Sequence, residues 1–195
     1  GRDWDDAYAA ATLQSERTGQ ALIHPFNDPM VCAGQGTVGL ELLEDSAAPL
    51  DAVIVQIGGG GLLAGVAACV KQKNPAIQVI GVEPTEAASM TVSLQAGLVV
   101  ELDQVRSIAD TLSPRKVGDF TLAAAKQFVD RVVLIEDDVM RRAMRVLWDE
   151  YNLLVEPSGA AALGVILEKR AEIPAGHRVG VIVSGGNWDA SASLP

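Results

Sequence analysis

The stretch Asp51–Gly65, DAVIVQIGGGGLLAG, constrains the fold more than any other part of the chain. A β-branched apolar run stops at four glycines, Gly58, Gly59, Gly60 and Gly61, and small aliphatic residues resume behind them. The first part reads as a buried strand and Leu62–Cys69 as a helix. Glycine has no Cβ, so backbone built from it can turn sharply and press its N–H groups against a ligand. The helix behind the turn aims its unpaired donors and partial positive charge the same way. Strand, glycine loop and helix in that order can hold a phosphate without a charged side chain. The simpler alternative is a tight strand-to-helix turn that binds nothing.

Two kinds of phosphate ligand suit such a loop. Gly59-Gly60-Gly61-Leu62-Leu63-Ala64 fits the dinucleotide fingerprint G-x-G-x-x-G/A. QVIGVE reads as a second strand ending in Glu83, about the 20 residues on at which a carboxylate meets a dinucleotide's ribose. That reading describes a nicotinamide-dependent (NAD) oxidoreductase. Glycine runs satisfy the pattern by chance, however, so the rest of the chain must decide.

Composition narrows the classes. The 195 residues suit one domain able to bury a proper core. Half are hydrophobic but only 4% aromatic, which suits an α/β enzyme core. A net charge of −10 argues against nucleic acid or an anionic membrane as partner. Cys32 and Cys69 lack metal or redox spacing and read as buried free thiols. The acidic start, GRDWDDAYAA, is unlike a signal peptide, and no apolar run approaches the roughly 20 residues of a membrane span. A cytoplasmic protein is expected.

Strand and helix patterns alternate. Helices are predicted over Asp3–Gly19, Gly36–Leu43, Leu62–Lys73, Glu86–Gln95, Thr121–Val129, Asp137–Tyr151 (capped by Asp137 or Asp138) and Ser158–Arg170. Strands are predicted over Ala21–His24, Ala52–Ile57, Gln78–Val82, Arg131–Ile135 and Val179–Val183. Val99–Gly118 reads as mostly loop. Near-continuous Val/Ile strands with helices between them mean a parallel sheet with helices on both faces. Ligands of such sheets bind at the carboxyl ends of the strands. The last strand, VGVIVSGGN, delivers Ser184 to that edge, where a neutral hydroxyl can bond a ring nitrogen without forcing a proton onto it. A turn or cap serine is the alternative. EPSGAAAL reads as a helix start built for close packing, and HPFNDP as a shaped turn rather than an acid/base pair.

Taken together, HPFNDPMVCAGQGTVGLELLED, VQIGGGGLLAG, VIGVEP, EPSGAAAL and VSGGN resemble, in this order, the fold-type II pyridoxal-phosphate enzymes. Within them the resemblance is to threonine/serine dehydratases and serine racemase, over nearly the whole chain. It implies the large cofactor domain of the tryptophan-synthase-β-like fold at 25–195, with 1–24 a remnant of the small domain. It implies pyridoxal 5'-phosphate as cofactor, its phosphate held by the backbone of Gly58, Gly59, Gly60, Gly61 and Leu62 and its pyridine nitrogen by Ser184. The implied reaction is deaminating β-elimination of L-threonine or L-serine to a 2-oxo acid and ammonia. Racemisation of serine is the alternative within the family, and a non-catalytic phosphate-binding domain the alternative outside it.

The same resemblance marks what these residues lack. The family's Schiff-base lysine in a Ser-Phe-Lys-type motif, and its Ser-x-Gly-Asn-His loop for the substrate carboxylate, do not occur here. Of Lys71, Lys73, Lys116, Lys126 and Lys169, only Lys116, in the long loop, is conceivable as a substitute. The expectation is an N-terminally truncated chain, inactive alone, that forms a homo-oligomer or pairs with the missing N-terminal half. Ala109-Asp110-Thr111 stands where the family often has an Asp-Gly pair, so Thr111 is expected to narrow the pocket. Racemase-like members bind a divalent cation through a carboxylate, a carbonyl and a second acid. Glu83 and Ala87 match the first two positions but Ser89 stands at the third, so weak or no metal binding is expected.

Overall fold

The computed structural model describes residues 4–189. Its elements in chain order are α1 (Trp4–Thr18), α2 (Pro29–Asp45), β1 (Ala52–Gln56), α3 (Gly61–Lys73), β2 (Gln78–Pro84), α4 (Ser89–Ala96), α5 (Asp119–Phe128), β3 (Arg131–Ile135), α6 (Asp137–Tyr151), α7 (Pro157–Leu167) and β4 (Val179–Val181). The strands form one sheet in the order β3-β2-β1-β4, and every adjacent pair is parallel. Register runs from Ala52 beside Gln78 and Val179 to Gln56 beside Val82. The α/β fold with helices on both faces is thus as the Val/Ile runs imply.

Alternation along β1 builds both halves of the core. Val53 and Val55 face a layer containing Leu63, Val66 and Val70 of α3, Met90 of α4 and Leu122 of α5. Ala52 and Ile54 face the opposite layer, with Val139 and Met140 of α6 and Ala161, Ala162 and Val165 of α7. In α6 the buried residues Val139, Met140, Ala143, Met144 and Leu147 recur at helical spacing, giving one apolar stripe. Every β1 side chain is buried, the condition under which a strand carries an unbroken apolar run.

Several boundaries differ from expectation, each for a local reason. Ala21–His24 is not a strand: Ile23 is 68% exposed, and no strand among the described residues pairs with it. Helix α2 starts at Pro29 rather than Gly36, because Asp28 caps it, accepting from the N–H groups of Met30 (2.7 Å) and Val31 (3.1 Å). The segment 86–95 breaks into a 3₁₀ turn, Thr85–Ala87, and α4, with Ala88 at the junction. Glu136, not Asp137 or Asp138, occupies the cap position of α6, and the two aspartates fill the first turn. Cys69 is only half-buried, unlike Cys32. No helix among the described residues is long and apolar enough to cross a membrane.

Candidate functional site

Strand β1 connects through α3 to β2 on one side, whereas β4 arrives on its other side. The chain therefore reverses direction across the sheet between β1 and β4, where open parallel sheets leave a crevice beyond their carboxyl ends. A cavity of about 370 Å³ opens there. Gly58, Gly59, Gly60, Gly61, Leu62 and Ser184 all line it. The structure thus brings together every residue assigned from sequence to a cofactor site.

The glycine loop is shaped from behind. Gly60 turns at φ +94°, a conformation in which an L side chain is strained. A Cβ there would also meet Thr121 at 2.8 Å and Met90 Cε at 2.9 Å. A Cβ on Gly58 would meet the Thr111 carbonyl oxygen at 2.5 Å, and one on Gly59 would enter the Phe26 ring. The Thr121 hydroxyl donates to the Gly59 carbonyl at 2.8 Å, pinning the loop to α5. Helix α3 begins at Gly61 with no side-chain cap, and its first intrahelical bond runs from the Ala64 N–H to the Gly60 carbonyl. The N–H groups of Gly61, Leu62 and Leu63 therefore precede any helical acceptor. Uncapped donors, the helix dipole and a loop free of side chains together make an anion cradle.

Ser184 is held at the cavity from two directions. The Gln56 side chain donates through Nε2 to Ser184 Oγ at 2.5 Å. The following backbone rests on the start of α7: the Glu156 N–H donates to the Gly185 carbonyl at 3.2 Å. A Cβ on Gly159 would meet the carbonyl oxygens of Gly185 (2.6 Å) and Ser184 (2.9 Å), so EPSGAAAL gives Ser184 its seat through close packing. That segment also contributes Ser158 to the cavity wall, beyond its reading as a helix start built for close packing. Thr111 does line the cavity, and its hydroxyl donates to Ser158 Oγ at 2.5 Å. Burial raises the Glu156 carboxyl above the usual range, and the charge of nearby Asp110 adds to the shift.

The HPFNDP segment is a turn, with the Phe26 ring forming a cavity wall. His24 Nδ1 accepts from the backbone N–H groups of Asn27 (2.9 Å) and Phe26 (3.3 Å). The rings of Trp4, Tyr8, His24 and Phe26 pack with centroids 4.5–5.9 Å apart. Trp4 and Phe26 both reach the cavity, one from α1 and one from the turn. Burial lowers the His24 pKa, outweighing the opposing pull of Asp28.

Glu83 is not a ribose ligand. It is fully buried, and its carboxylate caps α4, accepting from the Met90 N–H (2.6 Å), the Thr91 N–H (2.9 Å) and the Thr91 hydroxyl (2.7 Å). Burial pushes its pKa up to about 7 despite those three donors. The dinucleotide reading loses its carboxylate. Lys116 is lost as a candidate as well: its Nζ pairs with Glu101 at 3.0 Å, and no lysine among the described residues lines the cavity.

Known proteins resemble this chain over most of its length. Residues 1–185 match the family described as pyridoxal-phosphate dependent enzyme. The chain is 41% identical to an L-threonine ammonia-lyase of Geobacter sulfurreducens, over 97% of this chain and 46% of that protein. It is 39% identical to a serine racemase of Oryza sativa subsp. indica, over 93% of this chain and 54% of the relative. Among solved structures, processed threonine deaminase isoform 2 of Solanum lycopersicum superposes with a TM-score of 0.90 at 38% identity, over 98% of this chain and 56% of that one. The chain thus spans about half the length of these relatives. Fold and sequence agree that it belongs to the pyridoxal-phosphate dependent enzyme family.

Proposed function

We propose that this chain is the cofactor-binding part of a threonine/serine dehydratase, with residues 25–195 as the large domain and 1–24 belonging to the small one. The observation that carries the reading is one cavity in which the uncapped start of α3, the glycine loop and the Ser184 hydroxyl converge. The backbone N–H groups of Gly58, Gly59, Gly60, Gly61 and Leu62 would hold the phosphate, and Ser184 would bond the ring nitrogen. When bound, pyridoxal phosphate supplies the electron sink that makes an amino acid's Cα–H acidic. A hydroxyl at the ring nitrogen leaves that sink weaker than a carboxylate would, which suits elimination of a β-hydroxyl. Trp4, Phe26 and Leu112 give the cavity apolar wall that excludes water, and the linked hydroxyls of Thr111 and Ser158 add polar wall. No lysine among the described residues lines this cavity, so the amine that moves the α-proton must come from outside them. The assembled enzyme is proposed to be a homo-oligomer, or a pairing of this chain with an N-terminal half.

The test is a chimera, fused or mixed, of this chain with the N-terminal half of the Geobacter sulfurreducens relative. Release of a 2-oxo acid and ammonia from L-threonine or L-serine is the expected result. D-serine formed from L-serine would favour the racemase reading, which the rice relative supports. A folded, cofactor-loaded chimera giving neither product would overturn both.

A further inference from the structure

Gln56 closes β1 at the bottom of the cavity, and nothing in the glycine-loop pattern calls for it. It is 3% exposed, yet its Oε1 has no hydrogen-bond partner among the described residues. Its Nε2 donates to Ser184 Oγ across 128 residues of sequence. A buried amide with an orphaned oxygen costs stability, and such a group in a cavity wall calls for an explanation.

We infer that Gln56 is a positioning residue that fixes the direction of the Ser184 hydroxyl. The inference rests on the reading that Ser184 faces the cofactor's ring nitrogen. A serine hydroxyl has one hydrogen and two lone pairs. With the Gln56 N–H occupying a lone pair, the O–H remains as a donor to be aimed into the cavity. An unprotonated ring nitrogen is the matching acceptor. With a pure acceptor at residue 56, the hydrogen would turn away from the cavity and only lone pairs would face the ring, which suits a protonated nitrogen. The amide thereby sets which protonation state of the ring the site favours. The charged groups beside this edge are Glu156, whose side chain abuts Gly185, and its neighbour Asp110. Both stay constant in a comparison of Gln56 variants.

The test loads the chain with pyridoxal 5'-phosphate labelled with ¹⁵N in the ring and follows the nitrogen shift against pH. Gln56→Glu, Gln56→Met and Ser184→Ala are compared with the unaltered chain. The unaltered chain is expected to hold an unprotonated nitrogen at neutral pH. Gln56→Glu should raise the pH at which the nitrogen loses its proton by about one to three units, the effect of a neighbouring carboxylate. Gln56→Met should also alter the nitrogen titration, while its melting temperature holds or rises because the orphaned oxygen is gone. A nitrogen that titrates alike in all Gln56 variants but differently in Ser184→Ala overturns the inference and leaves the Ser184 reading standing. If Ser184→Ala changes nothing either, or no label binds, both fall. Should Gln56→Met unfold the chain, the neutral Gln56→Leu takes its place, because a carboxylate at residue 56 shifts the nitrogen by charge alone; lower stability without a nitrogen shift in the neutral variant counts against the inference.

Discussion

At Gly60 a positive φ coincides with contact between the loop and the side chains of Thr121 and Met90. Substitution there strains the backbone and fills occupied space together. Gly60→Val is expected to lower stability by about 1–3 kcal/mol in urea titration and to abolish pyridoxal phosphate binding. Glu83 is expected to matter to stability alone. Glu83→Ala leaves three donors of α4 and Thr91 unanswered, and should cost about 2–3 kcal/mol. Its pH dependence has a definite sign. Burial raises the folded pKa from 4.5 to about 7, so its titration contributes stability fully below pH 4.5 and loses it as pH rises to 7. The stability advantage of the unaltered chain over Glu83→Gln should therefore be larger at about pH 5.5 than at about pH 7.5, measured by urea titration at both. Gly58–Gly61 and Ser184 were legible in sequence because each lies in a motif whose chemistry is local. Gln56 and Ser158 were not, because neither belongs to a phosphate- or ring-binding pattern, and only the fold sets their side chains against Ser184 and Thr111.

Elements were legible where pattern and burial agree. β3 and α6 match their sequence boundaries because their apolar patterns are regular and their ends clear. Leu22 and Ile23 read as strand by propensity alone, and propensity without a neighbouring strand does not make a ladder. The start of α2 was missed because its first two turns mix Met30, Gly34 and Gln35 without a clean period. Asp28 fixes that start, and Asp28→Ala should cost about 1 kcal/mol in urea titration. The turn before it depends on a neutral His24, whose ring nitrogen must stay free to accept two N–H groups. Because burial lowers its folded pKa, its contribution is present above the ordinary value of 6.5 and is lost as pH falls through the folded one.

For the molecule as a whole, topology places the site. The glycine loop and Ser184 lie far apart in sequence, and nothing local to either motif joins them. The parallel pairing of β1 with β4, Ala52 beside Val179, sets the two strand ends side by side and so closes the cavity. A second groove of about 410 Å³, lined in part by Cys32, Gly36, Ala64, Ala68 and Phe120, leaves apolar surface open on α2, α3 and α5. Self-association is therefore expected in light scattering, and a monodisperse monomer would contradict it. The most direct test of the cradle is titration of the chain with pyridoxal phosphate, followed by borohydride reduction and mapping of adducts by mass spectrometry. The expected result is saturable binding that Gly60→Val abolishes, with no single lysine labelled stoichiometrically. Binding indifferent to Gly60→Val, or a stoichiometric adduct on one lysine, would contradict it.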